Sequence, residues 1–186
     1  MVRVELDVNG EITKTIPPYH DGWYVLAKAD GTITDESQGK QYGYLFWEAQ
    51  LNGLELPDKG WVIAQEDLKE WFSEYLPKLG LNIREKEQFM EYWLERLQGS
   101  GFYELKLLSH EFLDEYAKLT ITPAPDTLIR VIFHFTPLNE YKLLDAPVMK
   151  TPERKGFVVL EWGGILRGFP KKSRRDKIGT YYFNKF

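Results

Sequence analysis

Between residues 66 and 98 the apolar residues recur every three or four positions, whereas almost everywhere else they recur every second. A period near 3.6 belongs to a helix and a period of 2 to a strand. A chain patterned this way therefore folds as a β-rich domain with one helical unit set into it. Leu68, Trp71, Phe72, Tyr75, Leu76 and Leu79 make the first helical stripe. Pro77 distorts or ends its last turn, and Gly80 closes it. Phe89, Met90, Trp93, Leu94 and Leu97 make the second stripe, which ends at Gly99. Asn82 with Glu85 three residues later has the spacing of a capping box at its start. Residues 66–79 and 83–98 are expected as an antiparallel helical pair, packed on one sheet through Trp71, Phe72, Tyr75, Phe89 and Trp93.

The period-2 segments divide at turn residues. Residues 2–16 read as a β-hairpin: Val2, Val4, Leu6 and Val8 share one face, Asn9-Gly10 is a two-residue turn signal, and EITKTI returns. Pro17-Pro18 stops it. Strands are then expected at 23–29, closed by Asp30-Gly31, at 42–51, closed by Asn52-Gly53, and at 61–64, with a weak strand or loop between the first two. After the helices come a strand at 102–109, an ambiguous HEFLDEYAK segment, and two runs, 118–123 and 127–136, expected as neighbours in one sheet. Residues 137–156 are a Pro-containing polar loop. A strand at 156–162 is expected to end at Gly163-Gly164. About nine strands and two helices give an α+β fold, with a mainly antiparallel, sandwich-like core and an inserted two-helix hairpin. Residues 1–164 form one domain with the helical insertion at 66–98. Residues 165–186 are a basic C-terminal extension ending in the strand-like IGTYYFNKF.

Composition removes several function classes. The chain has no cysteine and three histidines, His20, His110 and His134, which stand far apart. Disulfides, thiolate metal sites and cysteine nucleophiles are excluded, and no HExxH zinc motif is present. Phosphate-cradling GxxxxGK[ST], dinucleotide-binding GxGxxG and the GxSxG elbow are also missing, so no cofactor or metal is expected. No apolar run reaches the roughly 20 residues of a membrane span, and MVRVELDVNG lacks the apolar h-region of a leader. An exported or cell-surface protein after leader removal is expected in preference to a cytoplasmic one. Charge is uneven: residues 1–164 carry 17 Lys and Arg against 27 Asp and Glu, and residues 165–186 carry 7 against 1. A body of −10 argues against a nucleic-acid groove. The KKSRR cluster is then a solvated linker, or one docked on the acidic surface of its own or a neighbouring subunit.

Several blocks occur in a fixed order: VRVELDVNGEITKTIPPYHDGWYVLAKADGT, YLFWEA, EYWLERL, PDTLIRVIFHFTPL and TPERKGFVVLEWGG. In these the chain resembles an uncharacterised bacterial protein family whose members read FDGELTVTYPEYNDGW, YLFWEG, FIVYWLP, PDTLIRVFM and RKGFTVVEWGG. The resemblance covers residues 2–164 and implies a shared fold but no chemistry. Members commonly carry a strand-like KPVIYLYP segment before the first block, where this chain has none. They also tend to end soon after EWGG, where this chain continues for 22 residues.

Three expected strands each place one ionic residue on a largely apolar face: Glu48 with Tyr44 and Phe46, Arg130 with Leu128, Ile132 and His134, and Glu161 with Phe157 and Val159. Charges among apolar neighbours are costly unless paired. One outcome is a buried Glu–Arg–Glu network that fixes strand register, with Arg130 paired to Glu48 or Glu161. The other is a site, in which Glu48 and Glu161 do acid/base work at a glycosidic bond while Arg130 and His134 bind substrate. Glu87, Glu91 and Glu95 repeat at i, i+4, i+8 and are read as a solvated face rather than a cation site. Tyr92 and Trp93 either flank the core or form a stacking platform for a sugar. The tail completes its own sheet, is donated to a second subunit as a strand, or does neither. The expected function is a non-enzymatic β-rich module that binds or assembles, with itself, a protein or a carbohydrate as partner. The alternative is a glycosidase-like hydrolase using Glu48 and Glu161. A cytoplasmic regulatory protein is a third possibility.

Overall fold

A computed structural model of the chain describes residues 1–28 and 31–166, together with the backbone of 178–185. In chain order the elements are β1 (Val2–Val8), β2 (Gly10–Ile16), β3 (Trp23–Ala27), β4 (Ile33–Asp35), β5 (Gln41–Tyr42), β6 (Phe46–Leu51) and β7 (Trp61–Ala64). There follow α1 (Leu68–Lys78), α2 (Ile83–Arg96), β8 (Phe102–Leu107), α3 (His110–Tyr116), β9 (Ala117–Thr122), β10 (Thr127–Leu138), β11 (Val158–Leu166) and β12 (Ile178–Lys185). One sheet has the order β5-β4-β3-β1-β9 and the other β2-β6-β12-β11-β10-β8-β7. The fold is α+β and mainly antiparallel. Ala29, Asp30, the KKSRR cluster and Phe186 lie outside the described residues.

Two apolar clusters define three layers. Val4, Leu6, Trp23, Val25, Leu119 and Ile121 of the five-stranded sheet meet Trp47, Ala49, Leu51, Ile132 and Val159 of the seven-stranded sheet in one cluster. On the far side of the larger sheet, Phe72 and Leu76 of α1 and Phe89 and Trp93 of α2 pack against Phe133, Phe135, Leu160 and Trp162. The rings interlock: Phe72 lies 6.3 Å from Phe133, Phe89 5.4 Å from Trp162, and Trp93 4.6 Å from Phe135. The two helical segments thus sit where their stripes direct them, on one face of the larger sheet, and in sequence they join the paired strands β7 and β8. Asn82 and Glu85 form the capping box reciprocally, with Asn82 Oδ1 accepting from Glu85 N–H at 2.9 Å and Glu85 Oε2 from Asn82 N–H at 2.7 Å.

Four expectations are corrected. The first hairpin does not form. β1 pairs β3 and β9 in the smaller sheet, while β2 pairs β6 in the larger one. Asn9-Gly10 is a crossing between sheets: Asn9 N–H donates to Tyr116 O and Asn9 O accepts from Asn52 N–H, both at 2.9 Å. Gly10 is required there by close approach, since a Cβ would stand 1.8 Å from Gln50 O. Second, β9 and β10 are not neighbours but lie in different sheets. Third, the expected strand at 42–51 is split, with β5 in one sheet and β6 in the other. Its apolar face is Trp47, Ala49 and Leu51, not the face of Glu48. Fourth, Gly163-Gly164 does not end its strand, because β11 runs on to Leu166. A Cβ on Gly164 would lie 2.6 Å from Phe135 Cε2 and 2.8 Å from both Phe133 O and Trp93 Cζ2. Glycine there lets Trp93 settle onto the sheet.

The strand-like tail pairs within its own chain, but in the middle of a sheet: β12 lies antiparallel to β11 and to β6. Placing a domain end at 164 therefore cuts through β11. Among the described residues the one parallel pair is β10–β11. Parallel neighbours cannot be joined by a tight turn, and residues 139–157 make the crossover without regular structure. Lys142 pairs with Glu104 near its start, and Gly60 N–H donates to Asp145 O at 2.9 Å. Near its end Arg154 forks onto both oxygens of buried Glu85, at 2.7 and 2.9 Å, and donates to Gly80 O at 2.9 Å. Asp126 Oδ2 accepts from Phe157 N–H at 2.6 Å. The crossover is thereby tied to the helical hairpin at its turn.

Candidate functional site

The parallel register of β10 and β11 sets Arg130 directly across from Glu161. Their same-face neighbours Leu128, Ile132 and Val159 belong to the cluster between the sheets, so both groups point into that core. Both side chains are 0% exposed, and Arg130 Nε donates to Glu161 Oε2 at 2.5 Å. The guanidinium also reaches the opposite side of the sandwich. Its Nη2 donates to Ala117 O at 2.7 Å, where α3 runs into β9. Its Nη1 donates to Asp114 Oδ1 at 3.2 Å. Ser109 positions Asp114 by capping α3, accepting from Phe112 N–H at 3.2 Å. Asp114 is 60% exposed and forms the wet end of an otherwise dry chain of charges. Glu161 Oε1 is buried with no hydrogen-bond partner.

The other residues singled out in the sequence are dispersed. Glu48 lies between Trp47 and Ala49, which face the inter-sheet core. By strand alternation Glu48 faces the other side of the larger sheet, with β12 between its strand and that of Glu161. The structure does not bring the two carboxylates together. His134 shares the face of Arg130 and is buried, with its Nδ1 3.3 Å from Thr136 Oγ1. It stands four residues along the strand, roughly 13 Å by the rise of an extended chain. Trp93 is buried against Phe89 and Phe135 and offers no face to a sugar. Tyr92 is half-buried and carries the Arg96 guanidinium 3.5 Å from its ring centre. Glu87, Glu91 and Glu95 are exposed along α2. Among the described residues no group of His, Asp and Glu is gathered as a metal ion would need, and no helix is long and apolar enough to cross a membrane.

Two residues of this polar set have no clear signal in the sequence. Asp114 lies in the ambiguous HEFLDEYAK segment, and only the Ser109 cap would have placed it on a helix. Arg154 sits in the crossover with nothing in its neighbours to mark it as the partner of Glu85. Chemically, a general acid or base must come within hydrogen-bond reach of the proton it moves. Glu161 has one oxygen held by Arg130 and the other enclosed in a packed core. The arrangement joins sheet to sheet and to α3. Two shallow surface depressions lie along α2. One, lined by Tyr44, Gln88, Glu91, Tyr92, Glu95, Arg96 and Trp162, is open to solvent on the helix-bearing face of the larger sheet, the face opposite to Glu161 by strand alternation. The other lies between α1 and α2 over Ser73 and Met90. No family model, curated protein or solved structure matches the chain.

Proposed function

We propose that this protein is a non-catalytic β-sandwich module, exported or displayed at the cell surface, that works through its surfaces in binding or assembly. The observation that supports this reading is the enclosure of the Arg130–Glu161 pair, both side chains at 0% exposure. The most enzyme-like grouping in the sequence needs an open cleft with two carboxylates flanking a substrate. Glu161 instead lies in the core, and Glu48 is turned to the other face. Buried ion pairs of this kind serve specificity of packing in several proteins, and here Arg130 of the larger sheet also donates to Ala117 O, where β9 of the smaller sheet begins. Sedimentation velocity on the full chain should show a weight-average coefficient that rises with concentration, or a shift on adding a polysaccharide or protein ligand. Neither should be accompanied by product formation. Hydrolysis of a chromogenic glycoside, lost in a Glu161→Gln variant with unchanged circular dichroism, would overturn the proposal.

A further inference from the structure

We infer that the slot between β6 and β11 accepts the β12 segment of a second copy of this chain, so that the larger sheet is closed between molecules as well as within one. The inference rests on the assembly reading and narrows it to one surface and one occupant. β12 is hydrogen-bonded on both sides, to β11 and to β6. With β12 withdrawn, those two strands face each other across a gap one strand wide, each with a row of unpaired N–H and C=O groups. Only an extended segment in the right register fills such a gap, and the same segment of another copy is identical in shape and pairing.

Three features make β12 separable from its own molecule. Its ladder to β6 is short and broken: Ile178 is opposite Ala49, Tyr181 opposite Trp47 and Tyr182 opposite Phe46, with a register shift between the first two. Its connection to β11 is longer than the geometry requires. Ile165 and Ile178 are already opposite one another, a separation that 2 to 5 residues bridge in most hairpins. Residues 167–177 intervene, and a fully extended segment of that length would reach roughly 36 Å at about 3.3 Å per residue, against about 5 Å between paired strands. The charge of that connection also favours a neighbour. Residues 167–177 carry six Lys and Arg and one Asp, while residues 1–164 carry −10. A connection crossing to a second copy lies against an acidic body, which offsets the repulsion between two bodies of like charge.

Exchange replaces each contact by its equal, so concentration decides the outcome. A strand on a short linker is present at its own slot at about millimolar effective concentration. Closure within one molecule therefore dominates in dilute solution, and closure between molecules gains as the protein becomes concentrated. Reciprocal exchange gives a closed dimer, and one-way donation gives a chain of subunits.

The absence of cysteine makes the test direct. Full chains carrying Ala49→Cys and Ile178→Cys, positions opposite one another in register, are refolded together from denaturant over a range of concentrations and oxidised. The expected product is the mixed disulfide dimer, with a yield that rises with concentration. Leu143→Cys, at a side chain 82% exposed and outside the slot, is paired with Ile178→Cys as the reference for random collision. A mixed yield no greater than that reference at every concentration overturns the inference. Unsubstituted chains, one of them isotope-labelled, provide a second readout that does not depend on a variant folding. Co-refolding should give mixed-mass dimers in native mass spectrometry, and their absence likewise overturns the inference. The glycoside assay reads the non-catalytic proposal separately, so either can fail while the other stands.

Discussion

Arg130 uses three of its donors on three different parts of the chain: a carboxylate on β11, a carbonyl at the start of β9 and a carboxylate on α3. Removing it strands Glu161 in a dry core. Arg130→Met should therefore lower stability by about 3–5 kcal/mol in urea unfolding. Replacing both partners by apolar residues of similar volume should recover most of that loss, since the penalty lies in the unpaired charge. A smaller cost is expected at Gly164, where a methyl group meets both backbone and rings. Gly164→Ala should cost about 1–3 kcal/mol by overpacking, with near-ultraviolet circular dichroism reporting the disturbed Trp93. Burial pushes the Tyr103 phenol above its ordinary value of 10. Its neutral form is the one favoured in the fold, so its contribution to stability is complete below pH 10 and fades as pH rises through the higher folded value. A phenolate absorbance titration should show one late-ionising tyrosine that Tyr103→Phe removes. At this scale the sequence was informative about faces and silent about layers. Alternation along β10 and β11 put Arg130 and Glu161 each on an apolar face, and the cost of burying a lone charge pointed to a pairing of Arg130 with Glu48 or Glu161. The same rule could not say that β6 presents Trp47 and Ala49 to that core and turns Glu48 away, because period 2 fixes which residues share a side and not which side is inward.

The helical hairpin is the element most fully determined by local sequence. Two 3.6-period stripes, a capping box and Gly80 each act within a few residues, and no distant partner is needed to decide them. Asn82→Ala should cost about 1 kcal/mol, the usual value of an N-cap. Glu85→Ala should cost more, about 3 kcal/mol, because Glu85 is both half of the capping box and the seat of the Arg154 fork. A double-mutant cycle between Glu85 and Arg154 in urea unfolding should give a coupling well above the few tenths of a kcal/mol seen for distant sites. Strand partners were harder to read for the opposite reason. Asn9-Gly10 is a strong local turn signal, yet Asn9 is bound by Tyr116 and Asn52, more than forty residues away. Non-local hydrogen bonds took the chain from one sheet to the other where a local rule would have folded it back.

Across the whole molecule, the seven-stranded sheet is two blocks joined through β12: β2-β6 on one side and β11-β10-β8-β7 on the other. The second block carries the helices, whose cluster with Phe133, Phe135 and Trp162 needs nothing from β6. The first block is held to it through β12 and through the smaller sheet. Deleting residues 167–186 should therefore broaden the thermal transition rather than simply shift it. The helical layer and its four strands should keep most of their hydrogen-exchange protection, and β2 and β6 should lose theirs. A single, equally sharp transition with β6 protected would show that the smaller sheet alone suffices to hold the first block.

Sheet order and chain order disagree at β12, and that has a consequence for synthesis. Strands flanking the slot leave the ribosome at residues 46–51 and 158–166, and the strand that separates them follows only at 178–185. At about 5–20 residues per second, β12 is completed roughly 1–4 s after β11, and the two emerge last of all the strands. β6, made more than a hundred residues before β12, waits for that partner with an open edge, on a polysome where sister chains in the same condition are close by.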